Sequence, residues 1–187
     1  MRIISGALGG RVLKTPEGKD CRPAMGRVRE ALFSMLEARG IGWPGLRVLD
    51  LFAGCGSLAF EALSRGAASA LMVENSRTAL RCISENAERL NLADRVRLAG
   101  ESVPRFLKRA PAETFGLVFL DPPYRRNLAA SALQFLAARG WLAEGAFVAA
   151  EIETGSRLAP PAAFTPLAER AFGQTRILLW GVSTENT

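Results

Sequence analysis

From Leu46 to Glu151 the chain alternates short apolar runs with stretches of helical period, and this alternation constrains its fold more than any other feature. Strands are predicted at 46–51, 68–73, 96–99, 115–120 and 146–151. Helices are predicted between them at 57–64, 77–90, 102–109 and 128–138. In the second of these helices Ala79, Leu80, Ile83, Ala87 and Leu90 share one face. Strands joined by crossover helices build a mostly parallel, doubly wound α/β sheet, because a tight turn cannot connect parallel neighbours. Beyond 151 the pattern changes. Segments 163–172 and 175–182, split by Gly173-Gln174, read as an antiparallel hairpin and bring the expected sheet to seven strands. Upstream, 2–5 and 11–14 flank a glycine-rich loop like a small β-hairpin, and Val28, Ala31, Leu32, Met35 and Leu36 mark a helix over 26–39. The expected organisation is a basic hairpin-and-helix extension over 1–40 and a main domain over 41–187.

The side chains that are missing narrow the chemistry. The chain has no histidine, which removes the commonest general base and every Ser-His or Cys-His nucleophile. Its three cysteines, Cys21, Cys55 and Cys82, are widely spaced and form no CxxC pair, so no metal site is expected. No apolar run approaches the roughly 18 residues of a membrane span, and the start lacks the apolar core of a signal peptide; a cytoplasmic protein is expected. The net charge of +6 is concentrated at one end. Residues 1–29 hold Arg2, Arg11, Lys14, Lys19, Arg22, Arg27 and Arg29 against Glu17 and Asp20. Such an arm suits a polyanionic partner, with a merely solvated terminus as the equal alternative.

The first strand runs into Asp50-Leu51-Phe52-Ala53-Gly54-Cys55-Gly56. Gly54 and Gly56 permit a tight turn and close approach of a ligand, and Gly54 to Ala59 satisfies G-x-G-x-x-A. Glu74, twenty residues after Gly54, is placed with Asn75 to grip a ribose diol. The pattern alone does not separate a nicotinamide dinucleotide from an adenosyl cofactor. A carboxylate at Asp50 would repel a pyrophosphate and attract an ammonium or sulfonium, which points to S-adenosylmethionine. The alternative is that Asp50 only caps the next helix. Glu101 and Ser102, after the third strand, are candidates for the adenine, or Ser102 for a helix cap. No Gly-Lys-Ser/Thr follows the glycines, so a phosphate-binding loop is excluded.

The fourth strand ends in Asp121-Pro122-Pro123-Tyr124. Two prolines stiffen the backbone and remove two donors while keeping carbonyl acceptors. These acceptors and Asp121 can take the N–H groups of a planar exocyclic amine and aim its lone pair at a methyl. Tyr124 can stack on an extruded base, a contact worth about 1–3 kcal/mol. No strong base is needed when orientation does most of the work.

The segments VLDLFAGCGSLAFEALSRGA at 48–67 and FLDPPY at 119–124 resemble the class I amino-methyltransferases. With RIISGALGGRVLKTP at 2–16, RPAMGRVREALFSML at 22–36 and FGQTRILLW at 172–180, the chain resembles the bacterial small-subunit ribosomal RNA guanine-N2 methyltransferase family over nearly its whole length. The resemblance implies a Rossmann-like class I fold and S-adenosylmethionine held by Asp50, Phe52, Gly54, Gly56 and Glu74. It implies a target guanine held by Asp121, Pro122, Pro123 and Tyr124. It implies ribosomal RNA as partner, free or in the small subunit, lined by the hairpin and the 22–29 segment (Arg2, Arg11, Lys14, Arg22, Arg27 and Arg29); a monomer is the simplest expectation for the protein itself. Ala24, Met25 and Gly26 stand where the family carries Thr and Asp, and Glu101 where Asp is usual. Three other readings stay open: adenine-N6 methylation of DNA or RNA, a nicotinamide-dependent oxidoreductase, and a non-catalytic RNA-binding module.

Overall fold

Strand β1 (Arg47–Leu51) shows how the sheet is wound, because its buried side chains divide between two cores. Val48 points into one hydrophobic cluster, and Leu49 and Leu51 into the other. The computed structural model describes residues 1–16, 23–123 and 128–182, the side chains of 23–25 excepted. Helices α1 (Pro23–Ala38), α2 (Ser57–Arg65) and α3 (Arg77–Arg89) pack on the first face. Helices α4 (Val103–Leu107) and α5 (Leu128–Ala138) pack on the second. With β2 (Ser69–Val73), β3 (Val96–Ala99), β4 (Phe115–Leu120), β5 (Leu142–Glu153), β6 (Phe164–Phe172) and β7 (Thr175–Val182), the sheet runs in the order β3-β2-β1-β4-β5-β7-β6.

The first five strands are parallel, and β7 is antiparallel to both β5 and β6. The expected seven-stranded doubly wound sheet is therefore present. Within the expected hairpin, the last strand inserts between β5 and β6 and leaves β6 at the edge. This departs from the 3-2-1-4-5-6 order of dinucleotide-binding sheets. Strand β5 also starts earlier than its apolar run indicates, because Leu142 pairs with Phe115 before a register shift. Among the described residues no helix is long and apolar enough to cross a membrane.

The amino-terminal segment is tied to the main sheet by side chains far away in sequence. The expected hairpin is present in short form: Arg2 and Val12 make an antiparallel bridge, the Leu13 N–H donates to the Met1 carbonyl at 2.8 Å, and the Ile3 N–H to the Arg11 carbonyl at 2.9 Å. Other backbone N–H groups of the segment are taken by side chains of the main sheet's helices. The N–H groups of Ile4 and Ser5 donate to Glu61 Oε2 and Oε1 at 2.6 and 3.0 Å. The Leu8 N–H donates to Ser64 Oγ at 2.9 Å. At the far end the Lys14 N–H donates to Asn86 Oδ1 at 2.8 Å, and Asn86 Nδ2 donates back to the Lys14 carbonyl at 3.0 Å. Gly6, at φ 82°, lies so close to α2 that a Cβ would meet the Ser64 carbonyl at 2.1 Å. Ile3 and Leu13 are buried in the same cluster as α1, α2 and α3. Residues 1–14 thus form a strap that shares its core with the sheet.

Glu61 is the polar hub of that strap. It is fully buried, pairs with Arg65 at 2.9 Å, and so neutralises the strap's two N–H donors and one guanidinium. The Arg65 guanidinium also lies over the Phe33 ring, 4.8 Å from its centroid. Removing one partner of a buried pair strands the others without water. Glu61→Ala is expected to cost about 3–5 kcal/mol of stability, read from the urea midpoint.

Candidate active site

The strand order reverses between β1 and β4, and in open α/β sheets the crevice beyond such a switch is where ligands bind. Three acids predicted to matter sit at this rim: Asp50 near the tip of β1, Glu74 just past β2 and Asp121 just past β4. Between them runs the glycine turn. Phe52 is held at φ 66°, a conformation that a bulky residue adopts only when its surroundings enforce it. Those surroundings are visible: the N–H groups of Phe52 and Ala53 both donate to the Val73 carbonyl at 3.1 Å. Gly54 then donates to Glu74 Oε2 at 2.9 Å, while Glu74 Oε1 accepts from the N–H groups of Asn75 and Ser76 at 2.8 Å each. Glu74 therefore holds the turn in shape and, with roughly four acceptor positions, keeps capacity for a ligand hydroxyl. Asn75 contributes its backbone, and its side chain is exposed.

The two glycines serve different ends. A Cβ on Gly56 would lie 2.9 Å from Phe60 Cε2 and 3.0 Å from Met72 Sδ, so Gly56 lets α2 close on the sheet. A Cβ on Gly54 would meet nothing within 4 Å, so Gly54 faces open space. Its lack of a side chain leaves the turn approachable from outside.

Asp50 lies beneath the turn with 1% of its surface exposed. Its Oδ2 accepts from the Ala59 N–H at 3.2 Å, within the first turn of α2. Its Oδ1 is buried and has no hydrogen-bond partner among the described residues. Burial pushes its pKa up to about 7; the Ala59 N–H opposes the shift and the Glu74 carboxylate adds to it. The capping role and the ligand role thus coexist in one carboxylate, an oxygen for each. This arrangement also disfavours a pyrophosphate, whose usual seat at the helix N-terminus lies against Asp50. A buried acceptor without a donor, beside an open glycine, fits a cationic nitrogen-bearing ligand such as S-adenosylmethionine.

Across the switch, the Asp121 N–H donates to the Leu51 carbonyl at 3.4 Å, which sets the Asp-Pro-Pro segment beside the glycine turn. Asp121 is half-buried, Pro122 buried and Pro123 exposed; Tyr124 lies outside the described residues. Glu101 is engaged by Arg109 at 2.7 Å and Arg105 at 3.6 Å, and Ser102 holds the N-cap position of α4 without a side-chain hydrogen bond. Arg2, Arg11 and Arg27 are exposed, Lys14 is exposed and paired with Glu85 at 2.7 Å, and Arg22 lies outside the described residues. Arg29 is a correction. Expected on the RNA-facing arm, it is only 7% exposed on the inner side of α1, and its guanidinium donates to the Arg2 carbonyl. It ties the strap to the helix.

One acid at this rim has no motif to announce it. Leu120 pairs with Ala150, so Glu151 follows on β5 level with Asp121. It is half-buried, and burial raises its carboxyl above the ordinary value. Only the strand register brings it to the site.

The family model described as Conserved hypothetical protein 95 matches residues 1–181. The ribosomal RNA small subunit methyltransferase D of Escherichia coli K12 is 36% identical over 162 residues, covering 86% of this chain and 79% of that protein. Its Haemophilus influenzae counterpart is 35% identical over 178 residues, covering 92% and 89%. The solved structure of yhhF from Escherichia coli is 34% identical, covers 99% of both chains and superposes with a TM-score of 0.87. The RNA methyltransferase of Salinibacter ruber, solved with S-adenosyl-L-homocysteine, covers 84% of this chain at 18% identity and TM-score 0.63, a likeness of fold.

Two expectations test the site. Because the fold raises the Asp50 pKa, the protonated form is the one it favours, and stability falls as pH rises from about 4 to about 7. Asp50→Asn should therefore melt higher than the parent at pH 8, with the difference vanishing near pH 4 in a thermal scan. Gly56→Ala should lose more stability in urea than Gly54→Ala, whereas Gly54→Ala should lose more affinity for S-adenosylhomocysteine by calorimetry.

Proposed function

This chain belongs to the Conserved hypothetical protein 95 family, and from that premise we propose that it moves a methyl group from S-adenosylmethionine to the N2 amine of a guanine in small-subunit ribosomal RNA. The observation that carries the cofactor assignment is the buried Asp50 Oδ1, an acceptor lacking a donor among the described residues, on the strand that leads into the open Gly54 turn. Asp50 would hold the ammonium of the cofactor, Glu74 its ribose hydroxyls, and Phe52, Gly54 and Gly56 would shape the turn against it. Bound there, S-adenosylmethionine supplies an electrophilic methyl on a sulfonium.

The chain's own contribution to transfer is positional. The backbone bond from Asp121 to Leu51 sets the Asp-Pro-Pro carbonyls next to the turn. Asp121 and those carbonyls accept the two N–H groups of the amine, so its lone pair is directed away from the ring. Holding nitrogen and methyl in line supplies the rate without imidazole, in keeping with a chain that has none. Exposed Arg2, Arg11 and Arg27 give the polyanion a docking surface that adds affinity more than base choice. In this reading the 1–40 segment is the RNA-facing cover of the 41–187 methyltransferase domain.

The test is transfer of labelled methyl to small ribosomal subunits from a strain lacking the endogenous activity, followed by mapping of the modified base. Incorporation at a guanine is expected; incorporation only at adenine, or none, contradicts the assignment. Asp121→Ala should lower the rate about 100-fold while S-adenosylhomocysteine binds as before. An unimpaired variant removes Asp121 from the mechanism.

A further inference from the structure

Among the described residues, Glu151 is the one rim carboxylate that neither the motifs nor the proposed mechanism uses. Parallel pairing of Leu120 with Ala150 makes it the neighbour of Asp121 across β4 and β5. Side-chain alternation puts it on the face of Ala149 and of its antiparallel partner Ile177, both in the cluster that also holds Val48 and Phe119. Asp50 lies on that same face, two residues after Val48. The three acids thus line one side of the crevice, in the order Asp50, Asp121, Glu151 across adjacent strands.

Glu151 differs from Glu74, Glu61 and Glu101, whose carboxylates are engaged within the fold. Glu74 holds backbone N–H groups, Glu61 the strap, and Glu101 two arginines. Among the described residues no hydrogen bond or ion pair engages the Glu151 carboxylate, although it is half-buried. A partly desolvated carboxylate without a donor favours a ligand that brings one.

Resting on the function proposed above, we infer that Glu151 is the residue that selects guanine, by accepting the ring N1–H while the Asp-Pro-Pro segment accepts the N2 amine. Guanine presents the N1–H donor beside its amine on the Watson–Crick edge. Adenine presents a bare N1 lone pair next to its amine, which a carboxylate repels. An acid one strand away from the amine-holding segment therefore distinguishes the two bases where an Asp-Pro-Pro-Tyr element serves both. Glu151 acts on base choice and takes no proton from the reacting nitrogen.

The discriminating probe is 2-aminopurine, which keeps the exocyclic 2-amino group and lacks N1–H. Small-subunit RNA carrying guanine or 2-aminopurine at the mapped position, assembled into subunits, is methylated by the full-length chain. The wild type should prefer guanine by about 10- to 100-fold in kcat/KM. Glu151→Ala should lose that preference mainly through a fall on guanine, with S-adenosylhomocysteine affinity unchanged. Glu151→Gln, whose amide oxygen still accepts N1–H, should recover part of it and retains the size of the side chain if the alanine variant fails to fold. Equal losses on both bases, no loss on guanine, or a wild type indifferent to 2-aminopurine would each overturn the inference. Failure of the wild type to label any small-subunit RNA would instead overturn the function on which it rests.

Discussion

The site is organised around a carboxylate that the fold buries and only half satisfies. Asp50 sits at the tip of a strand whose neighbours on both sides are parallel and apolar, so water cannot solvate it. One oxygen takes the Ala59 N–H and so fixes the start of α2; the other has no donor among the described residues. Burying a polar atom this way costs stability unless a ligand completes it. The unmet acceptor is at once a cost to stability and the source of a preference for a positively charged ligand.

The remaining elements keep that carboxylate and its surroundings in place. Glu74 gathers three backbone N–H groups and so couples the end of β2 to the glycine turn after β1. Phe52 is forced to positive φ by the Val73 carbonyl, which bends the chain sharply enough to free the Gly54 face. On the outside of the sheet, the strap of residues 1–14 grips α2 through Glu61 and Ser64 and α3 through Asn86. Both helices begin at the crevice, so the strap stabilises the elements that carry the cofactor turn. Arg29 serves the same end from α1.

Much of this was legible in the sequence, and the exceptions have physical causes. The strand–helix alternation over 46–151 was legible, the early start of β5 apart, because the central parallel strands are buried on both faces and need continuous apolar runs. The glycine turn, Asp50, Glu74 and Asp121 were legible because each has a spacing tied to a strand end. The insertion of β7 between β5 and β6 was not, since a hairpin looks the same in sequence whichever strand it returns beside. How the amino-terminal hairpin docks was not legible, because its Ile4 and Ser5 donors pair with Glu61, some 56 residues away. Arg29 was grouped with the arm by charge, although its helical phase, one residue after Val28, turns it inward. Glu151 carries no pattern and emerges only from β4–β5 register.

The most direct measurement is a crystal structure of the protein with S-adenosylhomocysteine. Its amino nitrogen is expected within hydrogen-bonding distance of Asp50 Oδ1, its ribose against Glu74, and its sulfur facing the Asp121-Pro122 segment. The ligand bound elsewhere, or Asp50 Oδ1 still without a donor in the complex, would contradict the account.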